Sequence, residues 1–134
     1  MDGISNYTGM KYAIIIVRVL LGLMFAVFGA NAFLHFFPTP PLPQGDAGAF
    51  VSALINSGYI YVIGGLQVAG GLCLLIGARL VPIGLTLLGP VIVNIMLYHI
   101  LLDHILNPIA IVVSILALFL LWVYRFKFPA IFRP

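Results

Sequence analysis

The fold is decided by residues 59–103, which read YIYVIGGLQVAGGLCLLIGARLVPIGLTLLGPVIVNIMLYHILLD. Two apolar runs, each close to the length of about 20 residues that a bilayer-spanning helix needs, make up almost all of this stretch. Only Ala78, Arg79 and Leu80 separate them. Because a link this short holds consecutive helices side by side and antiparallel, the stretch predicts a hairpin of two membrane-spanning helices.

Two further apolar runs flank this hairpin in the sequence. We predict four spans in all, at about residues 12–37, 59–77, 81–103 and 105–124. The proline-rich residues 38–43 should end the first span, since proline cannot continue a helix. Pro90 falls in the middle of the third span and should kink it.

A shorter segment, residues 46–58, lies between the first two spans and is too short to cross a bilayer. Asp46 is a suitable N-cap and Gly58 a suitable C-terminal stop. Phe50 and Leu54 fall on one helical face, whereas Asn56 lies off it. The segment predicts a short amphipathic helix at the membrane surface.

The composition supports a membrane location for the whole chain. Of its 134 residues 63% are hydrophobic and only 7% are charged, and the mean hydropathy is +1.24. A soluble domain has about a quarter of its residues charged. We therefore predict one transmembrane domain over residues 1–134, an all-α integral membrane four-helix bundle with the lipid bilayer as its surroundings. The small positive charge lies near predicted membrane ends, which argues against a nucleic-acid partner.

The basic residues predict the orientation, because lysine and arginine concentrate on the cytoplasmic side. With both termini cytoplasmic, all six basic residues fall on that side: Lys11, Arg18, Arg79, Arg125, Lys127 and Arg133. A cleavable signal peptide over the first run is the competing interpretation. We favour an uncleaved helix, because the apolar run continues through Phe36 and Phe37.

Polar side chains at membrane depth are costly and call for partners. Asn31, Gln67 and Asn94 fall at similar predicted depths on three different spans, which suggests a shared hydrogen-bonded layer. His99 and Asp103 are four residues apart, so imidazole and carboxylate can meet on one helical face. The predicted ligand-binding residues around an outward-opening pocket are Asn31, His35, Gln67, Asn94, Tyr98, His99 and Asp103.

Other interpretations of these polar groups stay open. The amides can serve only as interhelical glue. Arg18 is assigned a structural role, either extending to lipid phosphate or reaching toward Gln67. No spacing typical of a metal site or of a nucleophile with its base is present, so a self-contained enzyme is not indicated. The glycine-rich second span should be the most crowded, and Gly65 and Gly70 are its predicted packing positions.

Several stretches resemble the DoxX family of small four-helix bacterial membrane proteins. They are RVLLGLMFAVFG at residues 18–29 with Asn31, GGLCLLIGAR at 70–79, and PVIVNI at 90–95 followed by His99 and Asp103. The similarity covers most of the chain, and its signal is the order and spacing of these parts. The family often has a carboxylate where Gln67 stands and a basic residue near Asn31, and both positions are amides here.

The resemblance implies a multi-pass protein of the bacterial cytoplasmic (inner) membrane, linked in some relatives to thiosulfate oxidation with quinone as acceptor. It implies a subunit or accessory protein, with a membrane or redox protein as partner and quinone as the lipophilic ligand of the pocket. The alternative is a ligand-free membrane scaffold or assembly factor. Homo-oligomerisation is left open, since glycine faces can pack within or between subunits.

Overall fold

A computed structural model describes residues 2–37, 41–105 and 107–132, and these are almost entirely helical, without a strand. The five α-helices are α1 (Asp2–Leu34), α2 (Gly45–Ser57), α3 (Tyr59–Ile76), α4 (Val81–Leu97) and α5 (Pro108–Val123). Short 3-10 segments occupy Ala78–Leu80 and Arg125–Phe132, and a π turn covers Tyr98–Leu102. The all-α class is thereby confirmed over the described residues.

Within the described part of the chain, three segments are long and apolar enough to cross a membrane: Gly9–Leu34, Tyr59–Ile76 and Ala78–Leu102. This is the composition of a membrane protein. The fourth apolar helix, α5, has 16 residues. At a rise of 1.5 Å per residue it is about 24 Å long, less than the hydrocarbon thickness of about 30 Å. The fourth predicted span therefore stays a prediction.

The C-terminal end of α1 and the start of α5 differ from the expected bounds because of local hydrogen bonds. α1 stops at Leu34, before the expected Phe37, because the Oδ1 of Asn31 accepts a hydrogen bond from the Phe37 backbone N–H at 2.9 Å. The chain turns at His35, whose φ is 52°. α5 starts at Pro108 because the Asn107 side chain caps it, accepting from the Ile109 N–H at 2.8 Å.

The segment between α1 and α3 forms the expected helix, with one difference at its start. α2 begins after Gln44, and Asp46 lies inside its first turn without acting as the N-cap. Gly58 ends α2 with φ at 81°, the left-handed conformation that glycine adopts readily. Residues 38–40 of the proline-rich stretch, and Arg133 among the basic residues, lie outside the described residues.

Each of the helices α1, α3, α4 and α5 contacts two of the others, so that the contacts form a closed ring. α1 packs most extensively on α3 and also contacts α5, while α4 contacts both α3 and α5, and α2 lies on α3 and the π turn. The buried core runs through these contacts and includes Leu21, Phe25, Leu74, Leu88, Val113 and Leu120. The 3-10 link makes α3 and α4 adjacent, as the hairpin predicts.

Glycines set the closest helix contacts. A Cβ atom built on Gly29 would lie 2.6 Å from the carbonyl oxygen of Gly64, and one on Gly22 would lie 2.9 Å from that of Gly71. Gly70 likewise lies against Leu88 of α4. The prediction that Gly65 is a packing position is wrong, because a Cβ built there would meet no neighbouring atom within 4 Å.

Candidate functional site

A cavity lies between α2, α3 and α4, and we call it the α2 cavity. Its volume is about 650 Å³. α3 and α4 are in close contact at Gly70 and Gly84, and the cavity occupies the space between their other halves. Its walls are formed by Phe50, Val51, Leu54, Tyr59, Ile60, Val62, Ile63, Leu66, Gln67, Pro90, Val91, Asn94, Ile95, Tyr98 and His99.

A smaller cavity of about 250 Å³ lies on the side of α1 and α5, and we call it the α5 cavity. Met24, Phe28 and Val113 contribute to its apolar lining, together with the polar cap residue Asn107. Gln67, Ile95 and His99 line both cavities. These three side chains therefore form the wall between the two spaces.

Four of the predicted binding residues come together at the α2 cavity: Gln67, Asn94, Tyr98 and His99. Asn94 donates from Nδ2 to the Pro90 carbonyl at 3.1 Å. Its second N–H and its Oδ1 are not used by that bond. The cavity thus combines apolar walls with a few polar groups, the usual composition of a small-molecule site.

His99 and Asp103 form the pair that their spacing predicts. The Nδ1 of His99 lies 3.3 Å from Oδ2 of Asp103, and the two side chains are largely buried, at 15% and 21% exposure. The π turn closes between them, with the Asp103 N–H bonded to the Tyr98 carbonyl at 2.9 Å. Tyr98 packs edge-on against the His99 ring at 5.1 Å, which restricts the orientation of the imidazole.

The expected layer of hydrogen-bonded amides does not form. Among the described residues no hydrogen bond joins Asn31, Gln67 and Asn94. Asn31 bonds the backbone at the end of α1, and Asn94 bonds the backbone of its own helix. Short polar side chains readily find such local partners, and each of these two amides makes one local bond without contact between helices.

Two predicted site residues lie away from both cavities. Asn31 is engaged at the α1 terminus, and His35 is exposed at the turn that follows it. Asp103 does not line either cavity and reaches the site only through His99. The structure therefore divides the predicted set into a group at the α2 cavity and a group at the helix ends.

The sequence interpretation missed the contribution of α2 to the cavity wall. Phe50, Val51 and Leu54 form its apolar face, and that face covers the cavity rather than only lipid. Phe50 also packs against Tyr98 with ring centroids 5.9 Å apart. The apolar spacing was visible in the sequence, but a spacing alone does not identify the surface that a helix covers.

Arg18 does not reach Gln67. The Cβ of Gln67 lies beside Gly29, eleven positions along α1 from Arg18 and therefore about 16 Å away along the helix axis. The Nε of Arg18 is buried and has no hydrogen-bond partner among the described residues. Gln67 is therefore not its partner, and the extension of the guanidinium toward lipid phosphate stays a prediction.

The chemistry available at the α2 cavity is hydrogen bonding by amides, a phenol and an imidazole. In the described part of the chain, no group of three or more His, Cys, Asp or Glu side chains is placed to hold a metal ion. Comparison of the chain with family models, with curated proteins and with solved structures finds no match. The site must therefore be interpreted from its own geometry.

Proposed function

We propose that the chain is a DoxX-like integral membrane protein that binds a small lipophilic ligand such as a quinone in the α2 cavity. The observation that carries this proposal is a space of about 650 Å³ beside Gln67, with apolar walls and grouped polar side chains. Its size falls within the range of about 300–1,000 Å³ that is usual for ligand sites. The protein acts as a subunit or accessory protein of a redox system in the bacterial inner membrane.

The lining residues suit a ring with polar edges and an apolar tail. The Gln67 amide, the free N–H of Asn94 and the Tyr98 hydroxyl can each donate a hydrogen bond to a ligand oxygen. Leu66 and Ile63 of α3 and the face of α2 provide apolar contacts. Since a quinone combines carbonyl oxygens with a hydrophobic chain, it matches both parts of this lining.

A four-helix bundle is part of the same proposal, with α5 as the fourth spanning helix. The contacts of α5 with α1 and α4 support this arrangement, because they bring the chain back to the first helix. The basic residues Arg125 and Lys127 follow α5 and would then lie on the cytoplasmic side with Arg79.

Quinone binding to the purified protein tests the proposed function. The protein is placed in nanodiscs, and binding of a short-chain quinone is measured above its partition into empty nanodiscs. We expect saturable binding that is weakened several-fold in Gln67→Leu and in Asn94→Leu, because each change removes a donor. Asn56→Leu is the matched control, since this exposed amide of α2 does not line the cavity.

Two results would contradict the proposal: no saturable binding, or equal affinity in the wild type and both cavity variants. Either result would favour the alternative function, a ligand-free scaffold or assembly factor. The local hydrogen bonds of Asn31 and Asn94 are the observation that favours this alternative, because they show amides bonded to nearby backbone, at the end of α1 and within α4.

A further inference from the structure

We infer that the ligand of the α2 cavity carries a hydroxyl group that donates a hydrogen bond to Nε2 of His99. Its chemical class is then a lipophilic phenol or hydroquinone, the reduced form of a quinone. This inference rests on the proposed function and adds the form of the ligand that the site prefers. It depends on the position of a single proton on the imidazole ring.

The partner of His99 determines where that proton lies. Nδ1 is 3.3 Å from the Oδ2 of Asp103, within hydrogen-bond distance. An ionised carboxylate can only accept, so the bond requires hydrogen on Nδ1. A neutral imidazole carries one ring hydrogen, and Nε2 is therefore left with a lone pair. Asp103 thus acts as a positioning residue that selects this tautomer.

The arrangement around the ring makes Nε2 the nitrogen available to a ligand. His99 lines both cavities and Asp103 lines neither, and the carboxylate occupies the ring edge that carries Nδ1. We place the ligand on the side of the α2 cavity because that space is the larger, at about 650 Å³ against about 250 Å³. Nε2 lies on the ring edge remote from that bond. Tyr98 packs edge-on against the His99 ring and also contacts Phe50 of α2. These contacts limit rotation of the imidazole.

An oriented acceptor distinguishes the oxidised from the reduced form of a quinone. A quinone offers only carbonyl oxygens, which need donors such as the Gln67 amide or the Tyr98 hydroxyl. A hydroquinone offers hydroxyl hydrogens as well, and among these two ligand forms only the hydroquinone can donate to the lone pair on Nε2. A bound ligand displaces the water that otherwise reaches Nε2, and covering this acceptor without giving it a donor is costly, so the wall formed by His99 favours the hydroxylated ligand.

The experiment compares a short-chain hydroquinone with its dimethyl ether, which keeps the ring and tail but lacks the donors. Binding to the full-length protein in nanodiscs is measured without oxygen, with empty nanodiscs as the partition control. We expect the hydroquinone to bind about tenfold more tightly, as one buried hydrogen bond would give. His99→Phe should abolish this difference, and His104→Asn should keep it, because the exposed His104 does not line the cavity.

Asp103→Asn provides a second test that does not depend on removing the ring. A carboxamide can donate to Nδ1, which transfers the ring hydrogen to Nε2 and changes the acceptor into a donor. We expect the preference for the hydroquinone to fall at least severalfold. Nitrogen-15 NMR of the histidine ring should report hydrogen on Nδ1 in the wild type and a shift toward Nε2 in the variant.

The outcomes separate this inference from the proposed function. Saturable quinone binding with equal affinity for hydroquinone and diether would overturn the inference alone. Hydrogen found on Nε2 in the wild type would do the same. Absence of saturable binding by quinone, hydroquinone and diether alike would instead overturn the proposed function and the inference with it.

Discussion

Gly64 and Gly65 are adjacent in the chain but have opposite surroundings. A Cβ on Gly64 would lie 2.8 Å from the Cβ of Ala32 and 2.9 Å from the carbonyl oxygen of Gly29, whereas a Cβ on Gly65 would meet no atom within 4 Å. Real Cβ atoms do not approach so closely to backbone atoms, so helix α1 would have to move. Gly64 therefore leaves no room for a side chain, whereas Gly65 does.

Gly64→Ala and Gly71→Ala should lower the stability of the protein, each by about 1–3 kcal/mol, because overpacking forces the α1 and α3 backbones apart. Thermal unfolding in detergent measures the change. Gly65→Ala is the matched control and should be neutral or slightly stabilising, since alanine favours a helix over glycine. Equal losses of stability at Gly64 and Gly65 would contradict the packing.

At the residue scale, the sequence predicted contacts within one helix better than contacts between helices. The four-residue spacing of His99 and Asp103 brought the two side chains together because the single π turn between them keeps residues about one turn apart on the same side. Similar predicted depths of Asn31 and Asn94 suggested contact between them, but depth along a helix does not determine the direction in which a side chain points. Each amide found its own backbone first.

At the scale of elements, the start of α5 depends on one capping side chain. The Asn107 oxygen accepts from the Ile109 N–H, and Pro108 occupies the first turn, where its missing N–H costs little. This pattern of Asn before Pro was available in the sequence and would have corrected the expected start at residue 105. The π turn after α4 had no comparable sequence signal, since neither proline nor glycine occurs in Tyr98–Leu102.

Asn107→Ala should destabilise the protein by about 0.5–2 kcal/mol, because it removes the bond to an otherwise unpaired N–H of the first turn. Asn107→Ser should restore most of the loss, since serine also caps helices. Circular dichroism during heating in detergent checks both variants. A serine variant as unstable as the alanine variant would show that Asn107 stabilises the protein by another means.

At the scale of the whole molecule, α5 determines whether the chain crosses the membrane three or four times. Its length of 16 residues is less than a full hydrocarbon thickness, yet it contacts both α1 and α4. The sequence could predict that α3 and α4 form a hairpin, because their link is so short. It could not predict the cavity, which results from the packing of α2 across the separated halves of that hairpin.

Accessibility of introduced cysteines distinguishes four spans from three. In a Cys73→Ser background, Arg79→Cys and Lys127→Cys should be labelled from the same side of the membrane if α5 spans, and Asp46→Cys from the opposite side. Labelling uses a membrane-impermeant thiol reagent on intact cells and on inverted vesicles. If the cysteines at positions 79 and 127 react on opposite sides, α5 does not cross.

The two glycine pairs between α1 and α3 also govern how the protein can move. Gly22 faces Gly71 and Gly29 faces Gly64, so a slide by one helical turn would bring Leu75 or Val68 into a gap sized for a backbone. We therefore expect helices α1 and α3 to resist sliding along their common axis. A change in the width of the α2 cavity is therefore expected from displacement of α2 or α4, while α1 and α3 keep their register.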